Sequence, residues 1–564
     1  NSSPFLTPPT PECWPPAENW PAPCFNTTMQ KTSTTLVALG IAISALATLG
    51  LSACTSSAAS SQRCIIHANG DEPGEALLPG TSQSGANLRV AKMIYSGLVY
   101  VDSSNKIRND LAQEIKQIKP TLYRVTLRPN LVFSDGSSMT ATSFVDAWNK
   151  VVAEKNANSY LLSPIVGYHD DAEAVTPLRG LKVENPTTFT IELENPLSDF
   201  VMRLSHPAFS PLPAVALEKK PPKNYAKQPV SSGPYVLESW VTQHSLTLVK
   251  NPHYQGPRAA VNDGVQLSMY SRGTKPYEDL LAGDLDMVDA FSPTGFQNYR
   301  KDLGDRAIVQ PSASVIELSI HAQTPHFTGE EGVLRRRALS MAIDRESIAR
   351  TELGGSYAPA TGFVPPKVPG SNTSAKQREV LSLNVKKAKE LWAQADATYG
   401  VFTDQVPVHF SFDISDNQRW ATAVADQLRR NLGIQSFPVA GADFARFRYD
   451  FRTVRFDGAY RTGWKADYPS VRSYLEPNFA TDGASNDTEY SNDQVDELLK
   501  QADKATNPAA AVKDYEKAHG VLLEELPAIP LFFPLEAVGW KADVSNVSVD
   551  FDTYPNYSAI TKRC

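Results

Sequence analysis

The chain contains 564 residues, of which 41% are hydrophobic and 20% are charged, and its formal net charge is −7 at pH 7. This length exceeds one ordinary core and the composition is that of an ordered protein, so the sequence predicts a globular body of two or three lobes. The acidic balance argues against a nucleic-acid partner, which would require a basic face. The basic run Arg335–Arg337 is interpreted as the solvated face of a helix.

The N-terminal region predicts export. Residues 1–28 carry eight prolines and no periodicity, so we expect no packed element there and exclude this segment from fold reasoning. After it, a lysine, the apolar run Leu36–Leu51 and small residues before Cys54 form the pattern of a secretory signal that spans 29–53. The apolar run is sixteen residues long, short of the ~20 needed to cross the hydrocarbon core of a membrane. Residues 54–63 then form a flexible tether rich in Ser and Ala.

The five cysteines divide by position. The sequence "LSAC" that ends at Cys54 resembles the bacterial lipobox, which implies that Cys54 is lipidated and anchors the protein on the extracytoplasmic face of the cell membrane. Cys13 and Cys24 precede the signal, which leaves Cys64 and Cys564 in the body. There is no CxxC pair and no Cys/His ligand spacing, so no metal site is predicted. The two remaining thiols either form a disulfide or stay free.

Alternating and helical patterns predict an α/β fold with mixed sheets. Period-2 alternation predicts strands in "LYRVTLRPN", "TTFTIELEN" and "HSLTLVKN". Helical spacing predicts one helix over 385–395 with Asn384 as its N-cap, and another over 495–502 after Asn492. Strands dominate up to about residue 320, and helices are denser between 331 and 520.

Catalytic patterns are weak. The sequence has no P-loop, no GxGxxG after a strand, no HExxH and no GxSxG. The loop "GTSQSG" at 80–85 has no spaced His or Asp partners, and "YHDDAE" at 168–173 is interpreted as a solvated acidic loop rather than a metal site. We therefore predict that the protein is not an enzyme and carries no cofactor.

Five stretches, in order, resemble the family 5 solute-binding proteins, which are the peptide-binding components of ABC importers. They are "RVTLRPNLVFSDGSSMTATSFVDAWNKV", "SSGPYVLESW" with "LTLVKNPHYQG", "RRALSMAIDRESI", "APATGFVPP", and "YSNDQVDELL" with "LPAIPLFFP". The resemblance covers residues 64–564. Within the first stretch, the Asp-Gly pair at 135–136 should make a tight turn and Trp148 should pack in a core rather than touch a ligand.

The resemblance implies a two-lobed, periplasmic-binding-protein-like (Venus flytrap) fold, in which a hinged cleft encloses the ligand and a third subdomain is added. The implied boundaries are 64–95, 181–305 and 526–564 for lobe I, 96–180 for subdomain II, and 306–525 for lobe III. Both ends of the body would lie in lobe I of an exported monomer, so a disulfide between Cys64 and Cys564 is predicted.

The stretch "RTGWKADY" matches the ligand-facing motif Arg-x-Gly-Trp-x-Ala-Asp-Tyr of the oligopeptide-binding members. By this resemblance, Asp467 binds the α-ammonium of a peptide, Arg461 meets its carboxylate, and Trp464 lines the cleft. An enclosed peptide needs a partner for each terminal charge, because an unpaired buried charge costs several kcal/mol. The other residues of this segment that are predicted to contact the peptide are Gly463, Lys465 and Tyr468.

Four positions outside this segment complete the predicted site. Some oligopeptide binders place a histidine where this sequence has Gln418 followed by Arg419, so either the preferred peptide length differs or Arg419 substitutes. Tyr160 is either a peptide-contacting residue of subdomain II or a helix-packing aromatic. Gly85 is predicted as a backbone contact from a loop of lobe I.

The sequence therefore predicts a lipid-anchored binding protein that captures peptides and delivers them to an ABC permease. Family relatives with other ligands keep three alternatives open on the same fold, namely a dipeptide, a nickel complex and an oligosaccharide. Asp467 and Arg461 favour a zwitterionic peptide over a sugar, and the scattered histidines argue against nickel. An extracytoplasmic hydrolase is the alternative from a different functional class.

Overall fold

The structure of the chain is a computed structural model that describes residues 63–74, 76–81, 84–169, 177–270, 274–453 and 456–564. The predicted upstream segment, the signal and Cys54 lie outside these residues, as does most of the acidic loop at 168–173. From Gln62 to Cys564 the chain forms one compact unit. In the described ranges we find no helix with the length and hydropathy of a membrane span and no cluster of side chains suited to hold a metal ion.

Short strands make up most of the sheet structure. In chain order, the strands of the described residues are β1 (Ile65–Gly70), β2 (Val99–Val101), β3 (Ile107–Asn109), β4 (Ala112–Lys119), β5 (Leu122–Leu127), β6 (Leu181–Asn185), β7 (Thr188–Glu192), β8 (Tyr235–Val241), β9 (Ser245–Lys250), β10 (Gly264–Met269), β11 (Met287–Val288), β12 (Ala307–Pro311), β13 (Ser314–Ile320), β14 (Tyr357–Pro359), β15 (Val408–Ser411), β16 (Pro438–Gly441), β17 (Ala459–Lys465), β18 (Ala528–Trp540), β19 (Val544–Ser545) and β20 (Thr561–Lys562). The three strands predicted from alternation are β5, β7 and β9, and each is confirmed.

Helices lie mostly in the second half of the chain, as predicted. The α-helices of the described residues are α1 (Gly85–Ile94), α2 (Ala141–Ala153), α3 (Phe200–Arg203), α4 (Ala214–Leu217), α5 (Lys275–Ala282), α6 (Pro293–Asp302), α7 (Gly329–Met341), α8 (Arg345–Thr351), α9 (Ala375–Arg378), α10 (Val385–Tyr399), α11 (Ser415–Leu432), α12 (Phe444–Thr453), α13 (Arg472–Phe479), α14 (Asp493–Asp503) and α15 (Pro508–Glu525). The Asn384 side chain accepts a hydrogen bond from Lys387 N at 3.0 Å and so caps α10. Asn492 caps α14 in the same way, so both predicted helices and the predicted N-cap Asn384 are confirmed.

One long sheet runs through the body in the order β16-β15-β17-β13-β18-β11-β1-β10-β9-β8, with β12 and β14 also paired to β18. Strand β18 belongs to both halves of this sheet. Its residues 528–532 pair with β13, and its residues 535–539 pair with β12. We use lobe I for the half that contains β1 and β8–β12, and lobe III for the half that contains β13–β17. The two lobes therefore share one strand.

A separate antiparallel sheet in the order β4-β5-β7-β6 forms subdomain II. Because β6 and β7 belong to it, residues 181–192 lie in this sheet and not in the lobe I sheet, to which the predicted boundaries assign them. Trp148 of α2 is fully buried against this sheet, with its ring centroid 5.8 Å from that of Phe189. Gly136 has a φ of 82°, which is the conformation that a tight turn before α2 requires. The other lobe boundaries stay predictions.

The prediction of a solvated face at Arg335–Arg337 is wrong, because Arg335 and Arg336 are buried in lobe III. The Arg335 guanidinium donates hydrogen bonds to Glu331 at 2.8 Å and to Asp396 at 3.0 Å. It also lies 4.8 Å from the centroid of the Trp392 ring. Carboxylates and an aromatic face here replace water around the guanidinium. A run of three arginines in the sequence does not reveal these partners.

A disulfide joins Cys64, directly before β1, to Cys564, with the two Cα atoms 5.9 Å apart. Near this bond, β20 pairs antiparallel with β19. The Lys562 ammonium pairs with Asp286 of lobe I at 2.8 Å. These contacts fasten the segment that contains β20 to lobe I.

Candidate functional site

The predicted site segment lies on β17 and on the turn that follows it. Strand β17 pairs antiparallel with β13 along its whole length, with Gly463 opposite Ile316. A Cβ atom at Gly463 would lie 2.3 Å from the carbonyl oxygen of Val315. Gly463 is therefore required for the close approach of these two strands, whatever its contact with a ligand.

Asp467 lies in the turn after β17, at the edge of a cavity of about 360 Å³. Burial raises the pKa of Asp467 to about 6, while a hydrogen bond from the Tyr160 hydroxyl and the nearby Arg203 guanidinium act in the opposite direction. Among the residues that the structure describes, Asp467 has no ion pair at contact distance. It is therefore ionised at neutral pH, with a negative charge that a ligand cation can match.

Tyr160 reaches this carboxylate from subdomain II. Its side chain is 41% exposed and does not pack within a core. Burial raises the pKa of the Tyr160 hydroxyl, and the Asp467 carboxylate raises it further. Of the two roles considered for Tyr160, a helix-packing aromatic does not fit this position.

Lobe I supplies the opposite wall of the cavity. The Lys92 ammonium pairs with Asp550 at 2.9 Å and also with Asp552. The Tyr554 ring lies beside this cluster, with its centroid 5.2 Å from Lys92 Nζ and 5.3 Å from Lys465 Nζ. Lys465 therefore extends from lobe III to an aromatic ring of lobe I. Because Asp467 and Tyr468 line the same cavity as Lys92 and Tyr554, both lobes build it.

Trp464 and Tyr468 hold the turn that carries Asp467. The Trp464 indole donates a hydrogen bond to the carbonyl oxygen of Ser473 at 2.6 Å. Tyr468 is buried, and its hydroxyl accepts a hydrogen bond from Arg203 at 3.1 Å. Each ring thus has its polar atom bonded within the protein, and Tyr468 also lines the cavity.

Arg461, at the other end of β17, lies in a different environment. Its guanidinium is 5.2 Å from the centroid of the Phe444 ring. Its Nε atom is buried and has no hydrogen-bond partner among the described residues. Arg461 and Glu317 both line a second, smaller cavity of about 60 Å³. A buried cation with an unused donor is suited to bind an anionic group.

The remaining predicted residues lie outside these two cavities. Gln418 and Arg419 are exposed on α11, and Arg419 pairs with Asp416 one turn before it. The carbonyl oxygen of Gly85 accepts a hydrogen bond from the Tyr554 hydroxyl at 3.0 Å. Of the predicted residues, Asp467 and Tyr468 line the larger cavity, and Arg461, Gly463 and Trp464 line the smaller one. Tyr160 contacts Asp467, and Lys465 lies beside the Tyr554 ring, whereas Gly85, Gln418 and Arg419 line neither cavity.

Several site residues were not found by sequence reasoning. They are Lys92, Arg203, Glu317, Asp550, Asp552 and Tyr554. Lys92 and Asp552 are 460 positions apart, so no local spacing connects them. A signal exists only for Glu317, the single charged residue in the strand-like stretch "SVIELSI".

Comparison with known proteins assigns the family. The family model described as "Bacterial extracellular solute-binding proteins, family 5 Middle" matches residues 106–486. The periplasmic murein peptide-binding protein MppA of Escherichia coli is 26% identical over 486 residues, which covers 84% of this chain and 88% of MppA. The dipeptide-binding protein of Lactococcus lactis subsp. cremoris is 26% identical over 471 residues, covering 79% and 84%. A probable deoxycholate-binding periplasmic protein of Escherichia coli, YgiS, is 26% identical over 498 residues, covering 84% and 88%.

Solved structures show the same fold. The unliganded open form of the murein tripeptide-binding protein MppA gives a TM-score of 0.75 at 23% identity, covering 89% of this chain and 98% of that chain. The Haemophilus influenzae protein OppA, in complex with the peptide RPPGFSPFR, gives a TM-score of 0.69 at 21% identity, covering 89% and 99%. The predicted two-lobed, periplasmic-binding-protein-like fold is therefore confirmed.

Proposed function

Because the chain belongs to the bacterial extracellular solute-binding proteins of family 5, we propose that it captures peptides in the cleft between its lobes and delivers them to an ABC permease. One observation carries this proposal. The two ends of one strand segment present opposite charges, Asp467 and Arg461, and neither is fully paired within the described protein. A zwitterion of the right length satisfies both.

The physical requirement is the enclosure of two terminal charges. Closing the lobes on a peptide removes its α-ammonium and carboxylate from water, and each unpaired charge would cost several kcal/mol. Asp467 supplies the partner for the ammonium, and Arg461 supplies the partner for the carboxylate. The peptide main chain can pair with strand-like backbone at the cleft edge, which does not depend on the peptide sequence.

The same charges argue against the other ligands that the family takes. An oligosaccharide carries neither terminal charge, and a bile acid such as deoxycholate carries a carboxylate but no ammonium. Asp467 and Arg461 line different cavities, so a peptide that meets both must reach from one cavity to the other.

The proposal includes a membrane location. The lipobox-like "LSAC" implies a mature chain that begins at lipidated Cys54 on the extracytoplasmic face, as a monomer that meets its permease there. Intact-mass analysis of the membrane fraction should show a diacyl or triacyl addition on a chain that starts at Cys54. An unmodified chain that retains residues 29–53 would contradict this part of the proposal.

The decisive experiment is a four-way calorimetric cycle on the ammonium contact. The wild type and Asp467→Asn are each titrated with a peptide and with its N-acetylated form. Each single change should cost roughly 3–5 kcal/mol, because it breaks a buried charge pair from one side. The second change should then cost little, since the pair is already broken.

A matched control is available in the same lobe. The Asp457 side chain is 92% exposed, so Asp457→Asn makes the same chemical change away from the cleft and should leave the affinity unchanged. Additive losses in the cycle, or no loss at all, would show that Asp467 is only a turn residue. Mass spectrometry of the same samples should return intact peptide, whereas cleavage products would favour the alternative of a surface hydrolase.

A further inference from the structure

A buried carboxylate lies next to the proposed binding site for the ligand carboxylate. Glu317 is on β13, directly opposite Thr462 in the register with β17, and it is near enough to Arg461 for the guanidinium to lower its pKa. It is only 5% exposed. Glu317 and Arg461 line the same cavity of about 60 Å³, and the Ser319 and Thr462 hydroxyls hydrogen-bond to each other at 2.5 Å on its wall.

Few other charges face this cavity. Arg448 of α12 and Asp487 line it, and Asp487 is engaged by Arg452 at 2.7 Å. Outside the cavity lining, the Tyr357 hydroxyl and the Asp413 carboxylate also act on Arg461, and both raise its pKa. The Tyr357 hydroxyl donates a hydrogen bond to Asp416 at 3.1 Å. Among the described residues, Arg461 is the cation that affects the pKa of Glu317.

The protonation state of Glu317 decides how much of the Arg461 charge is available. Burial raises the pKa of Glu317 to about 8, Arg461 lowers it, and Asp487 raises it. At pH 7 the side chain is therefore mostly the neutral acid. The positive charge of Arg461 is then not offset by an ionised Glu317.

We propose that Glu317 is a proton-controlled competitor for the carboxylate end of the ligand. Protonated Glu317 leaves the Arg461 guanidinium to the ligand carboxylate, and ionised Glu317 takes that charge for itself. This inference rests on the proposed function, because it requires a ligand whose carboxylate meets Arg461. It adds that the affinity of the site for its ligand depends on the proton bound by Glu317.

The direction of the pH dependence follows from linkage. A ligand carboxylate beside Arg461 disfavours a second negative charge there, so the pKa of Glu317 is higher in the complex than in the free protein. The affinity is therefore complete below the free-state pKa of about 8 and is lost as the pH rises through it. The loss between pH 7 and pH 9 is roughly tenfold, and binding takes up about 0.1 proton at pH 7 and about 0.9 at pH 9.

The test compares a peptide that has a free carboxylate with the same peptide as its C-terminal amide. Both are titrated calorimetrically against the wild type and Glu317→Gln between pH 6.5 and pH 9, in two buffers of different ionisation enthalpy. The wild type should lose affinity for the carboxylate peptide at alkaline pH and take up a proton. Glu317→Gln mimics the neutral acid, so it should bind the carboxylate peptide as tightly as the wild type does at pH 6.5 and should show no proton uptake by this group.

The amide peptide separates this effect from other titrations. The α-ammonium of the ligand also loses its proton at alkaline pH, but it does so equally in both peptides. The excess alkaline loss of the carboxylate peptide over the amide peptide therefore belongs to the carboxylate site. An alkaline loss of affinity caused by deprotonation of Arg461 would remain in Glu317→Gln, whereas a loss caused by ionisation of Glu317 would disappear.

The outcomes are distinct. An alkaline loss that remains in Glu317→Gln, or equal pH profiles for the carboxylate and amide peptides, would overturn the inference while leaving peptide binding intact. Failure of the wild type to bind either peptide at any pH would instead overturn the proposed function. Thermal unfolding of Glu317→Gln at pH 6.5 should match the wild type, which shows that its binding data come from a folded protein.

Discussion

The two ends of the proposed peptide site are built differently. The cavity beside Asp467 measures about 360 Å³ and is lined by residues of lobe I, of the segment around Tyr100 and of the turn after β17. The cavity beside Arg461 measures about 60 Å³, and every described residue that lines it comes from lobe III or from the start of β18. The ammonium end is therefore assembled by the arrangement of the lobes, and the carboxylate end is already formed within one lobe.

The two ends of the site therefore act at different stages of lobe closure. A site within one lobe keeps its geometry when the cleft opens, so Arg461 can hold a ligand carboxylate before the lobes close. A site built by two lobes reaches its full strength only in the closed arrangement, so the contact with Asp467 can stabilise closure itself. Variants of Arg461 should therefore lose affinity for peptides with a free carboxylate, and variants of Asp467 should lose affinity for peptides with a free α-ammonium.

The largest effect outside the Asp467 cycle is expected for Arg461→Gln. Removing the guanidinium should cost roughly 2–4 kcal/mol for a peptide with a free carboxylate, a loss of about 30- to 1,000-fold. The same variant should bind the C-terminal amide of that peptide about as well as the wild type does. Calorimetry with both peptides measures the difference.

Arg419→Gln is the matched control for this change. Its side chain is 42% exposed and pairs with Asp416, and surface pairs contribute about 0–1 kcal/mol. We expect less than about a threefold change in affinity. If Arg419→Gln lost as much affinity as Arg461→Gln, Arg419 would be the carboxylate partner and the preformed site would not be where we place it.

A smaller effect is expected for Tyr160→Phe at the ammonium end. Loss of the hydroxyl removes one hydrogen bond to Asp467, which should cost about 1 kcal/mol, or roughly fivefold in affinity. Asp467 must be ionised to pair with the ammonium, so wild-type affinity is present above its free-state pKa of about 6 and is lost as the pH falls through it. Because the hydroxyl lowers the pKa of Asp467, this loss should begin at a higher pH in Tyr160→Phe.

Tyr399→Phe provides the control for this variant. The Tyr399 hydroxyl bonds to Glu330 at 3.0 Å on the surface of lobe III, so the change again removes a tyrosine–carboxylate hydrogen bond. It should alter neither the affinity nor its dependence on pH. An acid limb that is identical in the wild type and Tyr160→Phe would contradict the contact between Tyr160 and Asp467.

Local patterns predicted local structure. The alternation of "LYRVTLRPN" is enough to predict β5, because one face of that strand is buried and the other is not. Asn384 and Asn492 could be predicted as N-caps because capping involves only neighbouring residues. The motif "RTGWKADY" located Asp467 and Arg461 through its resemblance to a family.

Contacts between distant segments could not be predicted in this way. Arg335 is buried because Glu331, Asp396 and the Trp392 ring surround it, and only one of these partners is close in sequence. The predicted boundaries place both β6 and β7 in lobe I, because the pairing of β7 with β5 of subdomain II is not visible in a single strand pattern. The carboxylate proposed to compete with the ligand for Arg461 belongs to Glu317, which is 144 positions away. Its pKa is raised because both faces of β13 are covered.

Strand β18 also sets the order in which the chain can fold. It lies between β13 and β11, and it is paired along its length by strands of both lobes. During synthesis, neither half of the long sheet has its central strand until residues 528–540 have been made, so the backbone edges of β11, β12 and β13 stay without that partner. The long sheet can therefore close only late, after most of the chain has been synthesised.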